Sequence, residues 1–143
     1  MSSNAYKQWT GKVRELRFAE YKAARRAGTL PPPGPCEICG QTHGTMHHAE
    51  DYGPELADYF AALHSLCARC HAMLHLRFRF PGLWAAYKHR CRLEGPQTPV
   101  RHMGEVYHAV GRGKDIPVVE HEHAGEWFET LSTERYSENE RLF

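Results

Sequence analysis

The apolar positions of this chain keep a helical period on both sides of a short centre that keeps none. Over residues 4–27, Tyr6, Trp9, Val13, Leu16 and Phe18 or Tyr21 approximate one stripe, with Ser2 or Ser3 as cap and Gly28 before Pro31, Pro32 and Pro33 as terminator. This spacing predicts a single amphipathic helix, followed by a stiff T-L-P-P-P-G-P linker of polyproline II type. In the centre, T-M-H-H alternates as a strand does, so its two histidines point to opposite faces. Gly53-Pro54 marks a turn, and Leu56, Tyr59, Phe60 and Leu63 predict a helical segment packed on the core through residue 66. A further helix over 68–80 turns Met73, Leu74, Leu76 and Phe78 inward, and Pro81-Gly82 breaks it before a second one carrying Trp84 and Tyr87. From Gly95 the pattern fragments: V-Y-H-A-V and I-P-V-V read as brief strands and A-G-E-W-F-E-T-L-S as a short amphipathic helix.

Cysteine and histidine placement changes this picture most. Cys36/Cys39 and Cys67/Cys70 are two C-x-x-C pairs, and each presents two thiolates in one tight bend. Two such knuckles can close a tetrahedral four-cysteine zinc site. His47 and His48 stand between the pairs, and His71 and His75 follow the second. On a helix starting at that knuckle, His71 and His75 are an i,i+4 pair on one face. A third imidazole from the dyad would make a three-histidine site with a position open for water or phosphate.

The run C-x-x-C, H-H, L-C-x-x-C-H-x-x-x-H resembles the zinc-ribbon branch of the HNH (ββα-metal) nucleases, in the short versions common among bacteriophages, over roughly residues 36–80. The resemblance implies an α+β fold, with a small ββα-metal core stapled by a four-cysteine zinc. It makes His47, with His71 and His75, the ligands of a catalytic divalent metal and His48 the general base that activates water against a phosphodiester. Many HNH proteins carry asparagine five residues before the third cysteine to orient that base; here Ala62 takes the place. The implied activity is a metal-dependent DNA endonuclease or nickase. The alternative, favoured by Ala62, is a catalytically inactive zinc-stabilised DNA-binding or regulatory protein of HNH-like shape. Besides the structural zinc, zinc, nickel, cobalt or manganese suits an all-histidine set better than magnesium does.

Charge divides the chain. Residues 1–93 hold 13 Lys+Arg against 7 Asp+Glu, and residues 94–143 hold 5 against 10, within an overall +1. We therefore expect a basic N-terminal helix (1–30), a zinc-bound centre (31–93) and a partly irregular acidic C-terminal extension (94–143), which could contact a protein partner. Arg69, Arg77, Arg79, Lys88 and Arg90 are the candidate DNA contacts, since cations beside a phosphodiester site can clamp its backbone. Glu50 and Asp51 read as turn residues, and His64, His121 and His123 as structural or exposed. There is neither an apolar leader nor a membrane-spanning run, so the thiols are expected in a reducing cytoplasm, with Cys91 a reduced, partly buried thiol. A homodimer, as single-site HNH domains often form, is compatible with the chain.

Overall fold

The computed structural model describes residues 11–123 and 125–134. It is α+β: five α-helices surround one two-stranded antiparallel sheet, and four cysteines cluster beneath it. The elements are α1 (Gly11–Ala27), β1 (Thr45–Ala49), α2 (Leu56–Ala61), β2 (Leu63–Cys67), α3 (Ala68–Leu76), α4 (Pro81–Glu94), α5 (Met103–Val110) and a 3₁₀ turn, Trp127–Thr130.

The hairpin sets the architecture. β1 pairs with β2 in a register that puts His47 opposite Ser65 and His48 opposite His64. The segment expected to be helical up to residue 66 is instead a short α2 and then the second strand. Leu63 to Cys67 alternate only weakly, and pairing with β1 overrides the helical spacing that ends at Leu63. β2 runs straight into α3, so Cys67 is both the last strand residue and the helix cap, its sulfur accepting the Cys70 N–H at 3.5 Å. The first knuckle is sewn to the same strand: Glu37 N–H donates to the Ser65 carbonyl at 2.9 Å, and the Glu37 carboxylate takes the Ser65 N–H.

Helix α4 starts at Pro81, whose fixed φ and missing N–H suit a first helical position. Its next two amides, of Gly82 and Leu83, donate to the Asp115 carboxylate at 2.7 and 3.0 Å. That contact draws the chain after α5 back across the helix. Gly82 is needed for the approach, since a Cβ there would stand 1.9 Å from the Ile116 carbonyl oxygen. V-Y-H-A-V lies inside α5, where the period of Met103, Val106 and Val110 against the core outweighs β propensity. I-P-V-V is extended but unpaired, with Ile116, Val118 and Val119 exposed.

One buried cluster joins the cysteines, Leu66, Met73 and Leu74 to Trp84, Tyr87 and Cys91 of α4, Val106 of α5 and Phe128 of the 3₁₀ turn. Cys91 is fully inside rather than partly buried. The acidic extension thus contributes side chains to the core that the zinc-ligand candidates share. Among the described residues no helix is long and apolar enough to cross a membrane.

Helix α1 docks by a face that its apolar stripe marks only in part, through Tyr21. Tyr6 and Trp9 lie outside the described residues, and Leu16 and Phe18 are 56% and 55% exposed. The buried residue is Arg17, whose guanidinium donates to the carbonyls of Tyr52 at 2.7 Å and Pro54 at 3.0 Å and pairs with Glu20 at 2.8 Å. Loop carbonyls that would otherwise be unsatisfied are served by the arginine, and its aliphatic stem packs. Tyr21, one turn further on, meets β1.

Candidate metal centres

The four cysteines of the two knuckles come together as the spacing requires. Cys36, Cys39, Cys67 and Cys70 are buried, with all four sulfurs within 4.8 Å of one another. Cys39 Sγ and Cys67 Sγ lie 3.9 Å apart, close to the edge of about 3.8 Å that four sulfurs at 2.3 Å from zinc would have. Gly40 N–H donates to the Cys36 carbonyl and Cys36 N–H to the Gln41 carbonyl, both at 2.8 Å, which closes the first knuckle. Packing four thiols together splits their acidities. Cys36 is pushed down because Cys39, then Cys67 and Cys70, hydrogen-bond to its thiolate; Cys70 is pushed up, first by its bond with Cys36. A divalent cation removes that conflict, since it stabilises all four thiolates at once. Tyr87 Oη lies 3.0 Å from Cys70 Sγ and gives the cluster an outer hydrogen bond.

The second cluster is His48, His71 and His75. His48 Nδ1 is 3.2 Å from His71 Nε2, which is 3.1 Å from His75 Nε2. Three nitrogens at about 2.05 Å from a tetrahedral ion would be separated by about 3.3 Å. The tautomers follow from the outer partners. His48 Nε2 faces the Glu50 carboxylate at 2.7 Å, and His71 Nδ1 faces the Met46 sulfur at 3.0 Å. Both partners only accept, so those nitrogens carry the protons and the lone pairs of His48 Nδ1 and His71 Nε2 turn toward each other. Burial, with His48 beside it, lowers His71 to a pKa of about 3, so it does not take up a proton to relieve the clash. A cation in the middle satisfies this donor set.

His47 is not in that cluster. It lies on the opposite face of β1, as alternation dictates, and its Nδ1 meets Tyr21 Oη at 2.7 Å with the rings edge to face. Its pKa is lowered by burial first and then by Arg25. His47, His48 and His71 all border one cleft of about 160 Å³ between α1 and the hairpin. The dyad therefore splits as expected between two environments, but it is His48 that joins His71 and His75, with His47 standing apart. Ala62 caps α2, its carbonyl taking the Glu50 N–H at 3.1 Å, and it offers no side chain to either histidine.

Behind the histidines lies a chain of polar contacts with only partial trace in the sequence. Glu50 bridges His48 to Arg77, whose Nη2 is 3.7 Å from Glu50 Oε1. Arg77 is fully buried and donates to the Ser132 carbonyl at 3.0 Å and the Leu74 carbonyl at 2.8 Å. A guanidinium so enclosed cannot reach a DNA phosphate, which corrects its reading as a surface clamp: α3 ends with its last turn facing the returning tail. Of the other candidate cations, Arg79 and Arg90 stand at the surface and Arg69 is half-buried. Arg69 donates to the Thr98 carbonyl, Arg79 lies over Phe80, and Arg90 over Tyr87. Lys88 is largely covered and pairs with Glu129 at 3.7 Å.

Glu50 had a signal: in a strand, residues i and i+2 share a face, so the carboxylate after H-H-A falls on the side of His48. Trp127 had none. It stacks on His64 at 3.8 Å and donates its indole N–H to Glu37, bringing the tail over the hairpin. His121 stacks on His89 at 3.7 Å, and His123 pairs with Glu129. No family model, curated protein or solved structure matches this chain.

Proposed function

We propose that this protein is a metal-dependent DNA endonuclease or nickase of HNH type, with a structural zinc on Cys36, Cys39, Cys67 and Cys70 and a second divalent ion on His48, His71 and His75. The observation that carries the reading is the convergence of three imidazole nitrogens, of which His48 and His71 border a cleft that also holds a fourth, separately tethered histidine. A bound ion there supplies Lewis acidity toward a phosphodiester and its leaving oxygen. The protein's own residues do the rest. His47 is held at Nδ1 by Tyr21 Oη, and in the tautomer that donates to this oxygen its Nε2 accepts the proton of an attacking water. Tyr21 takes over the orienting task that Ala62 cannot perform. Glu50 fixes the tautomer of His48, and Arg77 fixes Glu50. The roles within the dyad are thereby exchanged relative to the resemblance: His48 is the ligand and His47 the base. Cations such as Arg69, Arg79 and Arg90 serve duplex or strand backbone on the outer surface.

The test is plasmid relaxation by the purified protein with Mg, Mn, Co, Ni and Zn ions, beside His47→Ala and His71→Ala. Nicked or linear product is expected from the wild type. His47→Ala should lose it while keeping both ions, and His71→Ala should lose it together with the second ion. Absence of product with every ion, or full activity in His47→Ala, overturns the assignment. Ala62 supports the second reading, a zinc-stabilised DNA-binding protein without turnover, which the first of those outcomes combined with retained DNA binding would favour.

A further inference from the structure

The cleft that contains His47 has a chemistry of its own. Its walls are Phe18 and Tyr21 from α1, Tyr52, Tyr59 and Leu63, over a floor of histidines. Among the described residues no Lys, Arg, Asp or Glu side chain lines it. His48 at the floor is only 4% exposed. A face built to grip a duplex backbone carries cations, because each phosphate neutralised releases counterions. A face built to grip an unpaired strand carries aromatic rings, because every base has a π-face to stack. Paired bases hide those faces in the helix stack, so only an unpaired nucleotide presents them.

Phe18 is the piece that core packing does not explain. It is 55% exposed at the cleft mouth, nearly parallel to Tyr21 with ring centroids 6.2 Å apart. Lys22 holds its ammonium over the Phe18 ring, 4.7 Å from its centre. A ring covered by one flexible cation matches one nucleotide, the base taking the place of the ammonium on the ring and the phosphate pairing with the displaced ammonium. Beyond it lies a recess of about 160 Å³ leading to the histidines.

We propose that the cleft between α1 and the hairpin binds single-stranded DNA, with Phe18 as the base-stacking platform and Lys22 as its phosphate contact. This rests on the nuclease reading for its placement beside a reactive centre, and it makes unpaired nucleotides, such as those a supercoiled plasmid exposes locally, the preferred substrate over fully paired duplex. α1 then has two tasks: Tyr21 orients His47, and Phe18, one turn earlier, positions the strand.

The experiment is fluorescence anisotropy of the full chain, zinc-loaded and without further added ions, with a labelled single-stranded oligonucleotide and with the same sequence as a blunt duplex. The single strand should bind more tightly. Phe18→Ala should weaken it by roughly 5- to 150-fold, the range that loss of one stacked base gives, and leave duplex affinity unchanged. Phe18→Trp should keep tight binding, which separates stacking from any general effect on α1. Equal or tighter duplex binding, or an unchanged affinity in Phe18→Ala, overturns the proposal. These readouts need no cleavage, so failure of the nuclease reading shows separately, as absence of product from either oligonucleotide once Mg, Mn, Co, Ni or Zn ions are added.

Discussion

Replacing Glu50 by glutamine tests whether the three-histidine cluster is a metal site held from behind. The side chain keeps its volume and an oxygen that can accept from His48 Nε2, but it loses its charge. Two partners feel the loss. His48, 2.7 Å away, no longer has a carboxylate to stabilise an imidazole that gives electron density to a cation. Arg77, fully buried and 3.7 Å away, loses this countercharge while its bonds to the Ser132 and Leu74 carbonyls remain. Outer-shell partners of metal-bound histidines are worth about 10- to 100-fold in affinity, or roughly 1.4–2.7 kcal/mol. For the ion pair, a broken buried pair costs about 3–5 kcal/mol. Glu50 retains 13% exposure and the separation is long for an ion pair, so about 3 kcal/mol is the ceiling here.

The assay is a competition titration of zinc or cobalt against a chelating dye, in protein whose four-cysteine site is already filled. Wild type should retain a second ion, and Glu50→Gln should release it at about 10- to 100-fold lower chelator concentration. Asp51→Asn is the control. It removes the same charge from the neighbouring residue, whose carboxylate accepts the Gly53 N–H. If Glu50→Gln holds the second ion as tightly as wild type, the cluster is not a site tuned through His48. If Asp51→Asn weakens the ion equally, the effect is general charge and the specific bridge is refuted.

Two further outcomes follow from the fold. Cys67→Ser removes both a proposed zinc ligand and the sulfur that accepts the Cys70 N–H at the start of α3. With structural zinc worth about 10–16 kcal/mol in small domains, this variant should fail to hold zinc and lose its helical circular dichroism. Asp115→Ala removes the carboxylate that receives the first amides of α4, at a cost of about 1 kcal/mol. Urea unfolding should show that as a midpoint lower by about 0.3–1 M, with zinc content unchanged.

What the sequence disclosed and what it withheld separate along a physical line. Local spacing sufficed where one element carries the whole signal. Two C-x-x-C bends, an i,i+4 histidine pair and a strand that splits a dyad are each fixed within a few residues, and the cysteine cluster and the His71–His75 pair appear where that spacing puts them. Alternation alone could not say which dyad residue faces α3. That depends on the register of β1 against β2, and the second strand lay hidden under a helical pattern of Leu56, Tyr59, Phe60 and Leu63. The docking face of α1 was legible only in part for a related reason. An apolar stripe marks a helix that packs on a core, but beside the contact of Tyr21 with β1 the helix docks on a loop, whose carbonyls are served better by an arginine than by leucine.

The longest-range contacts were the least legible, and they are the ones that hold the histidines in place. Ser132 to Arg77, Arg77 to Glu50 and Glu50 to His48 form one line from the returning tail to the candidate ligand, across more than eighty residues of sequence. In the sequence, Arg77 was one of several basic residues on a helix, and nothing local set it apart. Its burial is tolerable only because the tail supplies a carbonyl and β1 supplies a carboxylate, so its role is a property of the closed fold. The same holds for Trp127 on His64. The acidic extension, read from charge as a separate segment that could contact a protein partner, instead stands behind the candidate site: through Arg77 it holds the carboxylate that faces His48 Nε2.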